Sequence, residues 1–433
     1  MIRLQCLQES FISFSRLNKD WKWDKRYPEQ AIQRFIAFNR EIFSFLGISA
    51  MLDEVNYEKG LRLTASNYVG AAPLRNPLSG KYYTDIQVSS RFGENISELA
   101  CLLRDTLEPE YLDKALYNSA QLRAPFYFDC INYFNSFLRV IQEPWNKFDT
   151  ITKVESHPCS STDWSRYVRY AVNPNNVLKF ENRKHILSRK HREWHELICV
   201  LNMAIMEFES FKTPLFMKLR YSSEVSLLKR FSQDYQSVSP ASMFQIRTFE
   251  PIKIQELKEN ANKLLKHNTA NDKSWRIDSA ELFERYVQYV LNEVGKISGA
   301  RVLCNSKFPM KGVNRPAWLL SYLEPDVILD KEGCLYFADA KYKAHMFNLQ
   351  SSSDVFKESF RNDLHQVLAY SSLDPSKDKA AMLIYPCNKL KIIRFKAINN
   401  IGDVHNQVYL IGLPFITVAL NDLLHQLSEL LRK

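Results

Sequence analysis

The chain has 433 residues and eight cysteines, and no CxxC among them; they are scattered from Cys6 to Cys387. That spacing excludes a zinc ribbon and a disulfide scaffold, and it reads as reduced thiols in a core. No uninterrupted apolar run approaches the roughly 20 residues of a membrane helix, and the opening "MIRLQCLQESFISFSRL" carries no signal-peptide cleavage pattern. A cytoplasmic protein without a membrane segment is therefore expected. There is also no G-x-x-x-x-G-K-[ST], so this chain cannot build a P-loop of its own. Internal repeats and long low-complexity tracts are lacking as well.

What is there is ordinary globular material with a basic excess. Hydrophobic residues make up 45% and charged ones 24%, which argues against wholesale disorder. The length exceeds what one core usually supports, so two or more domains are expected. The net charge of +10 makes a polyanion a natural partner, because Lys and Arg gain affinity by releasing phosphate counterions. It does not locate one: from residue 270 onward 21 Lys and Arg face 18 Asp and Glu, only +3 of the total.

Along the chain, "PEQAIQRFIAFNREIFSFLGI" has helical spacing, residues 60–93 alternate in short segments split by Gly, Pro and Asn, and residues 95–145 read as helical again. The segment "LKFENRKHILSRKHREWHELICVLNMAIMEF" joins a basic half to an apolar helix. Arg183, Lys184, Arg189, Lys190 and Arg192 would form a solvated helix face there, or contact phosphate. His191 and His195 are spaced i,i+4, but H-R-E-W-H is not H-E-x-x-H and no third ligand is evident, so no zinc site is expected. The polar run "KENANKLLKHNTANDKSW" marks a boundary near 268–274 and divides the chain into an α+β region, 1–268, and an α/β region, 269–433. In the second, "DSAELFERYVQYVLNEVG" predicts a helix capped by Asp278 and ending at Gly295. Strands follow near 300–305, at "DVILD" and at "CLYFADAKY", then a helix over "DVFKESFRNDLHQVLAYSSL", a buried strand "AAMLIYP" and a closing helix.

The chemistry concentrates in "EPDVILDKEGCLYFADAKYK", Glu324–Lys343. Asp326 stands at the mouth of one strand; Asp339 and Lys341 flank Ala340 at the end of the next and share one face. Pairing of the strands through the turn at Lys331–Gly333 brings Asp326 beside them. Two carboxylates on one side of a sheet make an oxygen-rich site for a hard cation, Mg²⁺ with Mn²⁺ as substitute. An adjacent ammonium can orient a water and stabilise charge developing on a phosphate. Metal-assisted phosphodiester hydrolysis fits the three residue types; a strand-end ion pair at the surface fits the bare pattern too.

Following these residues, "DAKYK", "NDLHQVLAYSSL" and "AMLIYP" resemble the nuclease end of McrC-like subunits of McrBC-type restriction systems, of the PD-(D/E)xK superfamily, over roughly Asp278 to Lys433. The resemblance implies a restriction-endonuclease-like domain with a central mixed sheet flanked by helices. It further implies Asp326 and Asp339 as metal ligands with the Ala340 carbonyl, Lys341 as the catalytic lysine, and Gln366 and Tyr370 as the polar Q-x-x-x-Y positions. "LFERYV" suggests Glu284 as a fourth acid, with Glu281 the alternative. Glu324 is expected to be solvated, and Lys343 to be an exposed strand-end lysine or to approach the DNA backbone. "LTASNYVGAA" and "TDWSRYV…ENR" extend the resemblance loosely into the N-terminal region, which then implies docking to a McrB-like AAA+ GTPase ring acting with this chain on double-stranded DNA. The competing expectation is a non-catalytic assembly subunit that binds DNA or activates the GTPase.

Overall fold

The computed structural model describes residues 1–433 except 93–94, 104–107, 118–124, 144, 190, 234, 236–242, 268–272, 311–319, 351, 376–377, 400–403, 418–419 and 431–433. The chain forms two compact units, one made of Met1–Ala124 together with Asp272–Lys433 and the other of Pro125–Asn271. Division after residue 268 describes only the second crossing between them. Residues 1–124 join the C-terminal part because the strand Lys273–Asp278, whose first residues belong to the polar run that reads as a linker, pairs antiparallel with both Tyr68–Arg75 and Glu110–Ala115. Its "KSWRID" buries Ser274 and Ile277 while Trp275 packs on Ala71 and Leu116. Gly70 is required opposite it: a Cβ there would lie 2.1 Å from the Trp275 carbonyl oxygen.

The five-stranded sheet so completed runs Ile2–Gln5, Tyr82–Ser89, Tyr68–Arg75, Lys273–Asp278, Glu110–Ala115. A three-stranded sheet of Glu9–Ser13, Glu58–Ala65 and Ile48–Val55 accompanies it. Glu110–Ala115 interrupts a stretch whose composition reads as helical throughout, since its apolar residues are too few to impose period 2 on the sequence.

From the strand Lys273–Asp278 the chain enters helix α1 (Ser279–Ser298) directly. Asp278 caps it, accepting from the N–H groups of Ala280 and Glu281 at 2.8 and 3.3 Å. The helix does not stop at Gly295. It ends at Gly299, whose φ of +72° supplies the left-handed cap, and Gly295 lies inside because strand β1 (Arg301–Cys304) presses Val302 against it. Strands β2 (Val327–Lys331) and β3 (Cys334–Ala340), helix α2 (Asp354–Ser371), strands β4 (Asp378–Cys387), β5 (Lys391–Asn399) and β6 (Val404–Pro414), and helix α3 (Leu420–Leu430) follow. The sheet order is β1-β2-β3-β4-β6-β5, with β3, β4 and β6 parallel to one another and the rest antiparallel. It is a central mixed sheet, and β5 and β6 are two strands more than the sequence reading assigned.

Helix α2 covers one face. Its Val367 is buried among Leu383, Tyr385 and Val408, with Phe360, Leu364 and Leu368 packed alongside. Helices α1 and α3 pack against each other, and the fully buried Phe283 and Tyr286 of α1 meet Phe415 at 5.2 and 5.1 Å.

The unit Pro125–Asn271 gathers helices Tyr127–Ile141, Arg192–Glu209, Ser222–Gln233 and Ile252–His267, with the aromatic residues Phe134, Phe137, Trp194 and Phe208 buried, and carries the hairpin Lys147–Glu155/Phe180–Ser188. The first half of the basic segment is therefore a strand, not a helix. Arg183 pairs with Asp163 at 3.5 Å, Lys184 with Glu155, and Arg192 with Glu196 at 2.9 Å, while Arg189 donates to the Ile141 carbonyl at 2.7 Å. Three of these four charges are thus paired with acids, and the fourth, Arg189, meets a carbonyl; Lys190 lies outside the described residues. His191 serves as the helix cap, its Nδ1 accepting the Trp194 N–H at 3.2 Å.

Candidate active site

A two-residue turn sets the geometry. Glu332 and Gly333 have φ of +53° and +87°, the mirror-image turn whose twist matches that of the strands it joins, and Lys331 stands opposite Cys334. From that pair the register runs to Val327 opposite Ala338, and continued by one residue it sets Asp326, just before β2, opposite Asp339. Directly opposed residues project to the same face, so the turn places the two carboxylates side by side; a slip of one residue would part them. The Ala340 N–H donates to Asp326 Oδ2 at 2.7 Å and locks the arrangement.

Asp339 is 1% exposed, and among the described residues neither of its carboxylate oxygens accepts a hydrogen bond of good geometry. Lys341 Nζ lies 2.8 Å from Oδ2 as a charge contact. Burial pushes the Asp339 carboxyl up to about 6, with Lys341 opposing and Asp326 adding to the rise. Asp326 is likewise pushed up to about 6 by burial, against the Ala340 N–H and with help from Glu284. Burial alone would lower Lys341, but Asp339 and then Asp326 outweigh it and hold the ammonium above its ordinary value. The cluster is a desolvated acid pair beside a firmly protonated lysine.

Glu284, on the second turn of α1, is raised by burial and then by the charges of Glu281 and Asp339. Glu281, one turn earlier, is exposed and paired with Arg285 at 2.5 Å. Gln366 is exposed and donates to the Tyr370 hydroxyl at 2.9 Å. Tyr370 is buried against Ile328 and Phe337, and its phenol is raised by burial, then by Asp339 and Asp326 with Gln366 opposing. The structure thus brings Asp326, Asp339, Ala340 and Lys341 into direct contact, sets Glu284 and Tyr370 within reach of their charges, and links Gln366 through Tyr370.

Three neighbours went unnoticed in the sequence. Gln288 Nε2 donates to Glu284 Oε1 at 3.1 Å and to Asn305 Oδ1 at 2.9 Å, and the Asn305 N–H donates to the Asp326 carbonyl at 3.1 Å. Asp363 holds Lys343 at 2.7 Å, so this lysine, half-buried, is paired within the chain. Gln288 could have been found four residues after Glu284 on the same helix face; Asn305 and Asp363 carry no sequence mark. No group of three or more His, Cys, Asp or Glu suited to a metal ion occurs among the described residues. None of the helices described is long and apolar enough to cross a membrane.

Fold and cluster together define a mixed α/β protein with two acids and a lysine gathered where two adjacent central strands end. Residues 257–386, which include this cluster, match the family model described as McrBC 5-methylcytosine restriction system component. Over those residues the chain is similar to that family. Among solved structures it is similar, at 15% identity and a TM-score of 0.43 over 99% of each chain, to one described as a refined half-complex from a tetradecameric assembly of Thermococcus gammatolerans McrB AAA+ hexamers with bound McrC. A cryo-EM structure of the Thermococcus gammatolerans McrBC complex matches 68% of this chain and 87% of its own at 15% identity and a TM-score of 0.27. Superpositions this loose add nothing to the family match. No curated protein matches the chain.

Proposed function

We propose that the chain is the DNA endonuclease subunit of a McrBC-like restriction system, with residues 269–433 as a PD-(D/E)xK domain that hydrolyses phosphodiester bonds in double-stranded DNA. The observation that carries the reading is Asp339: a carboxylate 1% exposed, its Oδ2 met only by the Lys341 ammonium at 2.8 Å and its Oδ1 accepting no hydrogen bond among the described residues, with the charge of a second aspartate, Asp326, acting on it. Leaving such an oxygen unsatisfied is costly, and a hard divalent cation would satisfy it. Asp326 and Asp339 with the Ala340 carbonyl would hold Mg²⁺, or Mn²⁺ in its place. The small number of protein ligands suits Mg²⁺, which keeps several waters and shares the substrate's phosphate oxygens. When bound, the cation polarises the phosphoryl oxygen and lowers the pKa of a bound water.

The remaining work falls to the chain's own groups. Lys341, protonated and anchored on Asp339, orients the attacking water and stabilises negative charge at the phosphate. Glu284 and the Gln366–Tyr370 pair complete the polar surround. With no P-loop sequence of its own, the chain depends for nucleotide hydrolysis on a McrB-like AAA+ GTPase ring, to which the N-terminal part docks. Plasmid cleavage by the purified chain with and without that GTPase, in Mg²⁺ and GTP, tests the proposal beside an Asp339→Ala control. Partner-dependent cutting that disappears in the variant supports it. A raised GTPase rate with methylated and unmethylated DNA both left intact makes the chain a docking subunit instead.

A further inference from the structure

The strand end bearing Lys341 is held on both sides. The Lys341 N–H donates to the Ile384 carbonyl at 2.8 Å and the Lys343 N–H to the Lys341 carbonyl at 2.8 Å, a tight reversal just past β3. Tyr342 turns one way, its ring centroid 6.0 Å from that of Phe283 on α1 and 5.2 Å from that of Phe92. Lys343 turns to α2, where its Nζ lies 2.7 Å from Asp363 Oδ1 and 3.0 Å from Ser359 Oγ. Asp363 is 4% exposed, and its other oxygen accepts the hydroxyl of the buried Tyr385, from β4, at 3.0 Å. One carboxylate therefore joins the segment after the catalytic lysine, the helix that carries Gln366 and Tyr370, and the neighbouring strand.

We infer that Lys343 and Asp363 are a positioning pair that sets α2 and the Lys341 segment in register at the cation site. The inference rests on the nuclease reading. Exposed ion pairs do little, but a buried carboxylate with both oxygens engaged is different: losing one partner leaves a charge stranded and the anchored elements free to shift. The side chains that orient a cation site from behind matter about 10- to 100-fold in affinity or rate when removed. Asp363 acts on the site at one remove, through Lys343, two residues past Lys341, and through α2, which also carries Gln366 and Tyr370. Lys343 is accordingly engaged inward and is not a DNA contact.

The test compares Lys343→Met, Lys343→Arg, Asp363→Asn and Tyr385→Phe in the full chain. Mn²⁺ binding is read by calorimetry, DNA affinity in Ca²⁺, single-turnover cleavage with the GTPase partner, and folded fraction by thermal melting. Lys343→Met and Asp363→Asn are expected to weaken Mn²⁺ binding and slow cleavage about 10- to 100-fold per folded molecule, with DNA affinity unchanged. Lys343→Arg restores most of the rate. Tyr385→Phe, which keeps the packing and removes one hydrogen bond, gives a smaller loss in the same direction and carries the test if a bolder variant fails to fold. Two results overturn the inference: variants that melt earlier yet bind Mn²⁺ and cut like wild type, or a loss confined to DNA affinity in Lys343→Met while Asp363→Asn is normal. A wild-type chain that neither binds Mn²⁺ nor cuts would sink the nuclease reading itself, and this inference with it; an active wild type with indifferent variants sinks the inference alone.

Discussion

Replacing Asp339 by Asn should stabilise the cation-free protein, the opposite of what removing a buried ion-pair partner usually does. A carboxyl held at about 6 against an ordinary 3.8 is strained once ionised, by about 3 kcal/mol at ~1.4 kcal/mol per tenfold. The sign follows from the protons bound. Between roughly pH 4 and 6 the folded state holds more of them than the unfolded one, so the stability contributed by the protonated carboxyl is full below pH 4, declines through 6 and is lost above. Asn removes that decline but forfeits the Lys341 contact, leaving an expected gain of roughly 1–3 kcal/mol at pH 8 in EDTA and almost none near pH 4. Urea unfolding at the two pH values measures it. Mg²⁺ should stabilise the wild type, by about 2.7 kcal/mol at a hundredfold excess over Kd, and leave the variant unmoved. An Asn variant less stable than wild type at pH 8, with an equal response to Mg²⁺, would refute the reasoning.

Other outcomes follow from the same site and its frame. Lys341→Ala should slow DNA cleavage by about 10²- to 10³-fold while stimulation of the partner GTPase survives; equal loss of both activities would point to misfolding, and loss of neither would remove Lys341 from the site. Single-turnover cleavage in Mg²⁺ should rise with pH through about 6, because two aspartates raised to that value must shed their protons as a coupled pair before they hold a cation; a flat profile from pH 5 to 8 contradicts this. Gly295→Ala should cost about 1–3 kcal/mol in thermal unfolding, since the added Cβ would meet Val302 Cγ2 at 2.3 Å, whereas a variant as stable as wild type would mean that β1 yields freely.

The legible parts of this chain were those where local chemistry and long-range structure agree. Glu332-Gly333 between two apolar runs states both a turn and a register, and the register carries Asp326 to Asp339 with no further information. Asp278 declares the start of α1 in the same way. Gly295 misled because a helix-breaking residue also serves where another element must approach closely, and nothing nearby in sequence announces Val302. The strand Lys273–Asp278 was hidden by its polar neighbours and by partners about 160 and 200 residues upstream, for which local alternation gives no signal. Lys343 looked free because its partner lies 20 residues on, in a helix whose pattern leaves Asp363 indistinguishable from a solvated acid.

The pairing of Lys273 with Ala115 has a practical side. The last strand before the second unit, Glu110–Ala115, and the first strand after it, Lys273–Asp278, are neighbours in one sheet. A bridge between those two strands in place of residues 125–271 should close the unit and keep the strand that runs into α1. A fragment beginning at residue 269 would instead present Lys273–Asp278 with both edges bare, an invitation to intermolecular strand pairing. The smallest chain that keeps the register of the aspartates should therefore be a spliced one, not a C-terminal one.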